Sequence, residues 1–137
     1  MRAAKEDLIQ PILFVCVENS FRSQIAEAFA RIHGKGIVEA YSAGSRPSGR
    51  VHPKAIETMQ QLGYDLTRHA SKSFSEIPDV EYDVAVTMGC GDECPMVPAK
   101  RRESWEIPDP KSLPSEEVTA IRDLIGMKVK ELLAGLP

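Results

Sequence analysis

The sequence lacks any apolar run long enough to cross a membrane, and no segment resembles a signal peptide. Internal repeats and low-complexity stretches are missing too. Neither sign of charge is in excess, because 17 basic and 20 acidic residues leave a net charge of −3, which argues against a general nucleic-acid binder. These absences predict a soluble, cytoplasmic protein whose partners include neither a membrane nor a nucleic acid.

Cysteine is scarce as well, with only Cys16, Cys90 and Cys94 in 137 residues. An odd number of cysteines in a reducing cytoplasm argues for chemical rather than structural roles. The length predicts a single catalytic domain over residues 1–137, large enough to bury a proper core. The polar residues 1–10 are expected to be frayed and flexible.

Segments typical of strands alternate with segments typical of helices along the chain. Predicted strands cover residues 11–15, 37–43 and 82–88, and a short edge strand is expected at 104–107. Predicted helices cover residues 24–31, 53–62 and 115–133, with a short helical segment at 73–77. The alternation predicts an α/β fold in which a four-stranded parallel sheet of order 2-1-3-4 carries helices on both faces, a flavodoxin-like arrangement.

The most informative local pattern is a cysteine that ends the first predicted strand and an arginine that opens the helix after it. The backbone N–H groups of such a loop and helix start attract anions, and the Arg22 guanidinium can bind two oxygens at once. The same positive field favours the thiolate form of Cys16, to which Ser23 can donate a hydrogen bond. The segment therefore predicts Cys16 as a nucleophile, with a cradle for a tetrahedral oxyanion formed by Val17, Glu18, Asn19, Ser20, Phe21, Arg22 and Ser23. The alternative is a buried, inert cysteine, for which the polar loop residues would have no purpose.

A second candidate is Asp109, which precedes Pro110. An Asp-Pro pair in a loop gives a rigid, partly desolvated carboxyl that can protonate a departing oxygen as a general acid. The alternative is an ordinary turn aspartate. Cys16, residues 88–94 and Asp109 all fall at or after the carboxyl ends of predicted strands, where ligands bind in open α/β sheets. We therefore expect them to meet in space.

The pattern Cys16-x-x-Asn19-x-x-Arg22-Ser23 resembles the signature of the low-molecular-weight protein tyrosine phosphatase superfamily, which includes arsenate reductases of the same fold. The resemblance extends from Pro11 to about Leu133. It includes the segments Tyr41-Ser42-Ala43-Gly44, His52-Pro53-Lys54-Ala55, Thr87-Met88-Gly89-Cys90 and Asp109-Pro110.

The resemblance implies the low-molecular-weight phosphatase fold and further roles around the loop. It implies that Asn19 holds the loop in a strained shape and that Ser42 is bonded to Asn19. It also places His69 among the residues that support the loop. The alternative for His69 is a loop histidine on the surface.

The resemblance also implies a role for Cys90 and Cys94 as the second and third thiols of an arsenate reductase. There, a second thiol attacks the sulfur of the arsenate adduct, and a third takes over the disulfide. This sequence departs from the best-known members in its shorter gap between these two cysteines and in Phe21, where many relatives carry another cysteine. The alternatives are a zinc site, which lacks a second ligand pair, and plain loop cysteines. No metal and no tightly bound cofactor are expected, only an external thiol reductant.

The sequence is compatible with three functions. The first is an arsenate reductase that uses thioredoxin or a low-molecular-weight thiol system and has weak phosphatase activity as a by-product. The second is a phosphatase that acts on phosphotyrosine or aryl phosphates through a phosphorylated Cys16. The third is an oxyanion-binding or partner-binding module. Phosphatases of the superfamily usually carry aromatic residues after the Asp-Pro, whereas Lys111-Ser112-Leu113 follows here. This difference favours arsenate or a phosphate-like inorganic oxyanion as the substrate.

Overall fold

Strands and helices alternate along the part of the chain that the computed structural model describes, residues 9–89 and 96–136. The strands are β1 (Gln10–Val15), β2 (Val38–Ala43), β3 (Tyr82–Thr87) and β4 (Ala99–Ser104). The helices are α1 (Arg22–His33), α2 (Pro53–Gln60) and α3 (Ser115–Ala134). Two short 3₁₀ turns, Leu66–Arg68 and Phe74–Glu76, lie between α2 and β3. None of the helices in these two ranges is long and apolar enough to span a bilayer.

The four strands form one parallel sheet in the order β2-β1-β3-β4. The predicted sheet order and α/β class are thus confirmed. Central β1 pairs on both sides, so that Leu13 lies opposite Tyr41 of β2 and Ala85 of β3. Because all four strands run in one direction, the segments that follow them gather at a single edge of the sheet.

Successive residues of β1 point to opposite faces of the sheet, as the pleat requires. Ile12 and Phe14 belong to the large core cluster, which also contains the buried apolar residues of α1, α2 and α3. Leu13 and Val15 belong to a smaller cluster, against which Phe74 packs. On this second face, the helical cover within the described residues is the 3₁₀ turn Phe74–Glu76.

The fourth strand lies earlier in the chain than the predicted 104–107. It covers Ala99–Ser104, and its residues pair with β3 from Tyr82 to Thr87. Its sequence is mostly charged because an edge strand exposes its side chains, and backbone pairing rather than an apolar pattern defines it. The predicted and observed strands overlap at Ser104, and the Trp105 N–H, which donates to the Thr87 carbonyl over 2.9 Å, continues the ladder by one residue.

The predicted helices are present with small changes at their ends. Helix α2 ends at Gln60 rather than Leu62, and Leu62, which was expected on its apolar face, is 48% exposed. Helix α3 matches its predicted range within a residue. Its buried stripe follows the helical period through Val118, Ile121, Ile125, Val129 and Leu132.

Candidate active site

Cys16 lies directly after β1, at the edge of the sheet where the carboxyl ends of the strands meet. Its N–H donates to the carbonyl of Ala43, the last residue of β2, over 3.4 Å. The thiol is free, and the residue is only 3% exposed. What exposure it has is toward a cavity that the following loop surrounds. The sheet therefore fixes a free thiol at the floor of this cavity.

Ser23, in the first turn of α1, contacts this thiol. Its Oγ lies 2.9 Å from the Cys16 sulfur, and the Asn19 Nδ2 donates to the same oxygen over 2.8 Å. A hydroxyl has a single hydrogen to donate. Because the Ser23 oxygen already accepts from Asn19, its hydrogen is free to point at the sulfur and stabilise a thiolate.

Asn19 lies at the turning point of the loop. Its φ of 49° is in the left-handed region, which residues other than glycine rarely adopt. Its Oδ1 accepts from the Lys72 N–H over 2.8 Å and from the Gln24 Nε2 over 3.0 Å. Gln24 also donates to the Asn19 carbonyl over 2.9 Å. These hydrogen bonds hold the strained residue in place, as such backbone strain requires.

The peptide groups of the loop are turned in one direction. The carbonyls of Val17, Glu18 and Ser20 accept hydrogen bonds of 2.8–3.0 Å from the backbone N–H groups of residues 46, 48 and 52. Within the described residues, no group accepts a hydrogen bond from the backbone N–H groups of residues 17–23. These donors are therefore available to an anion, in the arrangement of a backbone nest at a helix start.

Gly44 allows this loop to pack closely against the end of β2. A β-carbon at this position would lie 2.8 Å from the Cys16 carbonyl oxygen and 2.9 Å from the Asn19 nitrogen, and it would clash with the Val17 carbonyl. The obstacle is backbone, which cannot rotate away as a side chain can. The shape of the loop thus depends on the absence of a side chain at Gly44.

Arg22, the first residue of α1, extends its guanidinium along the cavity wall. Its Nη1 donates to the Ile107 carbonyl over 2.9 Å. The same group packs on Gly89, whose φ of 81° also favours glycine, and a β-carbon there would collide with Nη1. Two segments distant in sequence therefore fix the orientation of the guanidinium.

The cavity has a volume of about 230 Å³. This is below the range of roughly 300–1,000 Å³ that is typical of sites for drug-sized ligands. The residues that line it are Cys16, Val17, Glu18, Ser20, Phe21, Arg22, Gly89, Asp109 and Lys111. The predicted nucleophile, arginine and acid thus border one small cavity.

Asp109 is exposed rather than partly desolvated as predicted. Its Oδ1 accepts from the Lys111 N–H over 3.1 Å, a turn contact of the kind that the alternative interpretation expects. The loop behind it is tied to α2, because the Lys54 Nζ donates to the carbonyls of Lys111 and Leu113 over 2.9 and 3.2 Å. The carboxyl is therefore open to water on one side and faces the Cys16 cavity on the other.

Lys111 itself forms an ion pair with the anion loop. Its Nζ lies 2.5 Å from the Glu18 Oε1, and both side chains are partly exposed. The hydrogen bond that Lys111 donates to Glu18 is the main cause that raises the pKa of Lys111 above its ordinary value of 10.5, and desolvation acts in the opposite direction. The pair connects the Asp109 loop to the Cys16 loop.

A buried carboxylate, Glu27 of α1, lies behind the loop and is 3% exposed. The Ser42 Oγ donates to its Oε1 over 2.5 Å, and the Arg31 Nε donates to its Oε2 over 2.9 Å. The resemblance implied a hydrogen bond between Ser42 and Asn19. Among the described residues this bond is not formed, because the Ser42 hydroxyl binds Glu27 instead. Ser42 is oriented toward Glu27 because a buried carboxylate needs donors.

His69 joins this group rather than the surface, and its side chain is 6% exposed. Its Nδ1 lies 2.9 Å from the Gln24 Oε1, an acceptor, and its Nε2 lies 2.7 Å from the Tyr64 hydroxyl. These partners are those of a neutral ring that carries its hydrogen on Nδ1. Burial lowers the pKa of His69 below 6.5, although Glu27 acts in the opposite direction. His69 thus contacts Gln24, and Gln24 in turn holds Asn19.

Cys90 and Cys94 lie outside the described residues, so nothing is stated of their geometry. They follow Gly89, which borders the cavity. In residues 9–89 and 96–136, no three His, Cys, Asp or Glu side chains form a group that could hold a metal ion.

Sequence reasoning missed Glu27, Lys54 and the contact between Lys111 and Glu18. Glu27 had a readable signal, since it is a carboxylate between the apolar residues Ile25 and Ala28 of a predicted helix. The two lysine contacts had none, because they join segments that only the fold brings together.

Comparison with known proteins agrees with this geometry. The family model "Low molecular weight phosphotyrosine protein phosphatase" matches residues 11–137. The glutaredoxin arsenate reductase of Synechocystis sp. is 34% identical over 129 residues, covering 92% of this chain and 98% of that protein. Arsenate reductase 2 of Staphylococcus saprophyticus is 36% identical over 124 residues, covering 88% and 93%.

Solved structures give the same result. An arsenate reductase in the phosphate-binding state superposes with a TM-score of 0.84 at 31% identity, covering 94% of this chain and all of that one (100%). The thioredoxin-dependent arsenate reductase of Corynebacterium glutamicum gives a TM-score of 0.74 at 34% identity, covering 90% of this chain and 60% of that one. The chain therefore belongs to the low molecular weight phosphotyrosine protein phosphatase family, in its arsenate reductase branch.

Proposed function

We propose that the protein reduces arsenate to arsenite in the cytoplasm, as a single catalytic domain that draws electrons from an external thiol. One observation carries this proposal. The free Cys16 thiol and the Arg22 guanidinium border one small cavity, beside loop N–H groups that have no acceptor among the described residues. The relatives whose names specify arsenate reduction support it. A reducing compartment keeps the required thiols free.

In the first step, the Cys16 thiolate attacks arsenic while Arg22 and the loop amides bind the oxyanion. A sulfur–arsenic bond forms and an arsenic–oxygen bond breaks. Asp109 borders the cavity and would protonate the departing oxygen, which leaves as water. The Ser23 hydroxyl, 2.9 Å from the sulfur, stabilises the thiolate before the attack.

In the second step, the Cys90 thiolate attacks the Cys16 sulfur. The electron pair of the sulfur–arsenic bond passes to arsenic, arsenite leaves, and a disulfide joins the two cysteines. Cys94 then attacks Cys90, which frees Cys16 and leaves a Cys90–Cys94 disulfide. An external thiol reductant reduces that disulfide. We propose thioredoxin or a low-molecular-weight thiol system as the donor, because similar proteins are named for thioredoxin and for glutaredoxin.

The second candidate function is hydrolysis of phosphotyrosine or aryl phosphates through a phosphorylated Cys16. The family match and the shared oxyanion cradle favour it. The mouth of the cavity argues against it as the main activity, because the charged Lys111 and Glu18 lie there and no aromatic residue follows Pro110. We expect a slow phosphatase side activity.

The test measures arsenite formed from arsenate with thioredoxin, thioredoxin reductase and NADPH, and aryl phosphate hydrolysis in parallel. We expect the wild type to form arsenite, Cys16→Ser to lose both activities, and Cys90→Ser to lose only arsenite formation. Ser115→Ala, at an exposed position at the start of α3, is the control. Rapid aryl phosphate hydrolysis with arsenate untouched would establish the phosphatase instead. Full arsenite formation by Cys90→Ser would refute the relay.

A further inference from the structure

The ion pair between Lys111 and Glu18 lies at the opening of the Cys16 cavity. Both residues line the cavity, and their side chains are 38% and 44% exposed. The ammonium nitrogen lies 2.5 Å from the carboxylate oxygen. An exposed pair of this kind contributes little to stability, typically below about 1 kcal/mol. It can therefore be broken easily when a stronger partner for the ammonium is present.

The backbone of Lys111 is held independently of this pair. The Lys54 Nζ binds its carbonyl oxygen over 2.9 Å, and its N–H donates to Asp109 over 3.1 Å. Only the flexible side chain depends on Glu18. The ammonium can therefore leave Glu18 while the Asp109 loop stays in place.

A tetrahedral oxyanion in the cradle would turn three oxygens toward the loop amides and Arg22. The fourth oxygen, opposite the attacking Cys16 sulfur, faces the opening, where Lys111 and Asp109 lie. In an inorganic oxyanion this oxygen carries a charge or a proton. In an ester it carries an organic group, which cannot accept a charge-assisted hydrogen bond in the same way and needs the space that the lysine occupies.

We propose that Lys111 is a substrate-binding residue that selects inorganic oxyanions over their organic esters, by moving from Glu18 to the outward oxygen when the anion binds. This inference rests on the proposed oxyanion cradle and names its substrate class. Glu18 is the resting partner of the ammonium and competes with the substrate for it.

The test measures how well inorganic phosphate and phenyl phosphate each protect Cys16 from alkylation by iodoacetamide, with alkylation read by mass spectrometry of the Cys16 peptide. No turnover is needed. We expect Lys111→Met to weaken protection by phosphate about tenfold, the loss of one charge-assisted hydrogen bond. Protection by phenyl phosphate should change by less than about twofold, because the ester lacks that bond. Lys35→Met, at an exposed turn after α1, should change neither.

Glu18→Gln gives the opposite change. Freed from its resting partner, Lys111 should bind phosphate about two- to threefold more tightly, and this gain should disappear in the Glu18→Gln/Lys111→Met double variant. A gain of the same size in the double variant would reflect loss of a negative charge alone and would overturn the competition between Glu18 and phosphate. Melting temperatures of all variants confirm that they are folded.

An equal loss of protection by phosphate and phenyl phosphate in Lys111→Met would overturn the selectivity. So would weaker phosphate protection in both single variants, which is the result expected of a purely structural ion pair. If the pattern appears as expected but arsenate is not reduced, the proposed reaction fails and the role of Lys111 stands. If phosphate does not protect wild-type Cys16, the cradle and the role of Lys111 are both refuted.

Discussion

At the scale of single residues, the site depends on a short chain of hydrogen bonds behind one sulfur. Asn19 donates to Ser23, and Ser23 lies 2.9 Å from Cys16. The direction of the first bond leaves the Ser23 hydrogen for the thiolate. Gln24 and the Lys72 N–H hold Asn19 in its left-handed conformation. Strain at Asn19 and reactivity at Cys16 are thus coupled through a single hydroxyl.

Replacement of this hydroxyl tests the coupling. We expect Ser23→Ala to slow alkylation of Cys16 by iodoacetamide at neutral pH by about ten- to a hundredfold, because a hydrogen bond to a charged group contributes roughly 1.5–3 kcal/mol. The rate is measured under pseudo-first-order conditions, with the exposed Ser115→Ala as the matched control. An unchanged rate in Ser23→Ala would mean that the hydroxyl does not stabilise the thiolate.

At the scale of elements, the loop between β1 and α1 is shaped by its neighbours as much as by its own sequence. Backbone N–H groups of the segment between β2 and α2 donate hydrogen bonds to the carbonyls of this loop, and Gly44, just after β2, packs against its backbone. The N–H groups of the loop are thereby left for an anion. The parallel sheet brings these segments together because every strand ends at the same edge.

Gly44→Ala therefore should distort the loop. A β-carbon 2.8 Å from the Cys16 carbonyl oxygen forces a backbone shift, and we expect a loss of about 1–3 kcal/mol of unfolding free energy, as for other overpacked sites. Protection of Cys16 by phosphate should fall by at least about tenfold, because the shifted loop no longer orients its N–H donors toward the anion. Urea denaturation and the alkylation assay measure these effects.

Gly135→Ala is the matched control, because a β-carbon there meets its nearest neighbours at 3.7 Å, an ordinary contact distance. It should leave both quantities near the wild-type values. Normal phosphate protection in Gly44→Ala would show that the loop tolerates the shift and that its geometry does not depend on this glycine.

The elements also show what the sequence could and could not predict. β1 is a short, continuous apolar run, and α1 and α3 have apolar residues at helical spacing, so all three could be predicted from local sequence. Right-handed crossovers restricted the sheet order. β4 was misplaced because its charged residues pair only through their backbone. Ser42 was expected to bind Asn19, but the buried Glu27 attracts its hydroxyl instead. Contacts such as Lys111 with Glu18 depend on side chains far apart in sequence, which no local pattern encodes.

At the scale of the whole molecule, all three histidines have pKa values lowered from 6.5, chiefly by burial. Nearby lysines add to the effect at His33 and His52, whereas Glu27 opposes it at His69. The folded chain thus keeps these rings neutral in a range of pH where the unfolded chain protonates them. Stability is fully present above the ordinary histidine value and is lost as the pH falls below it.

We therefore expect the urea midpoint to fall as the pH is lowered from about 7.5 to about 5.5. His69→Gln should reduce this dependence, since the variant has no ring to protonate. Asp65 and Glu76 have lowered pKa values as well, so their contributions are lost only at more acidic pH. A urea midpoint that stays constant or rises on acidification would contradict the lowered pKa values of the three histidines.

The central claim is that Cys16 forms a covalent adduct with arsenate that a second thiol of the same chain resolves. The most direct measurement treats the reduced protein with arsenate in the absence of any other thiol, blocks the remaining thiols, and identifies disulfide-linked peptides by mass. We expect arsenite together with a disulfide, Cys16–Cys90 in Cys94→Ser and Cys90–Cys94 in the wild type. Cys16 recovered fully as a blocked thiol in Cys94→Ser, with no arsenite released, would contradict the claim.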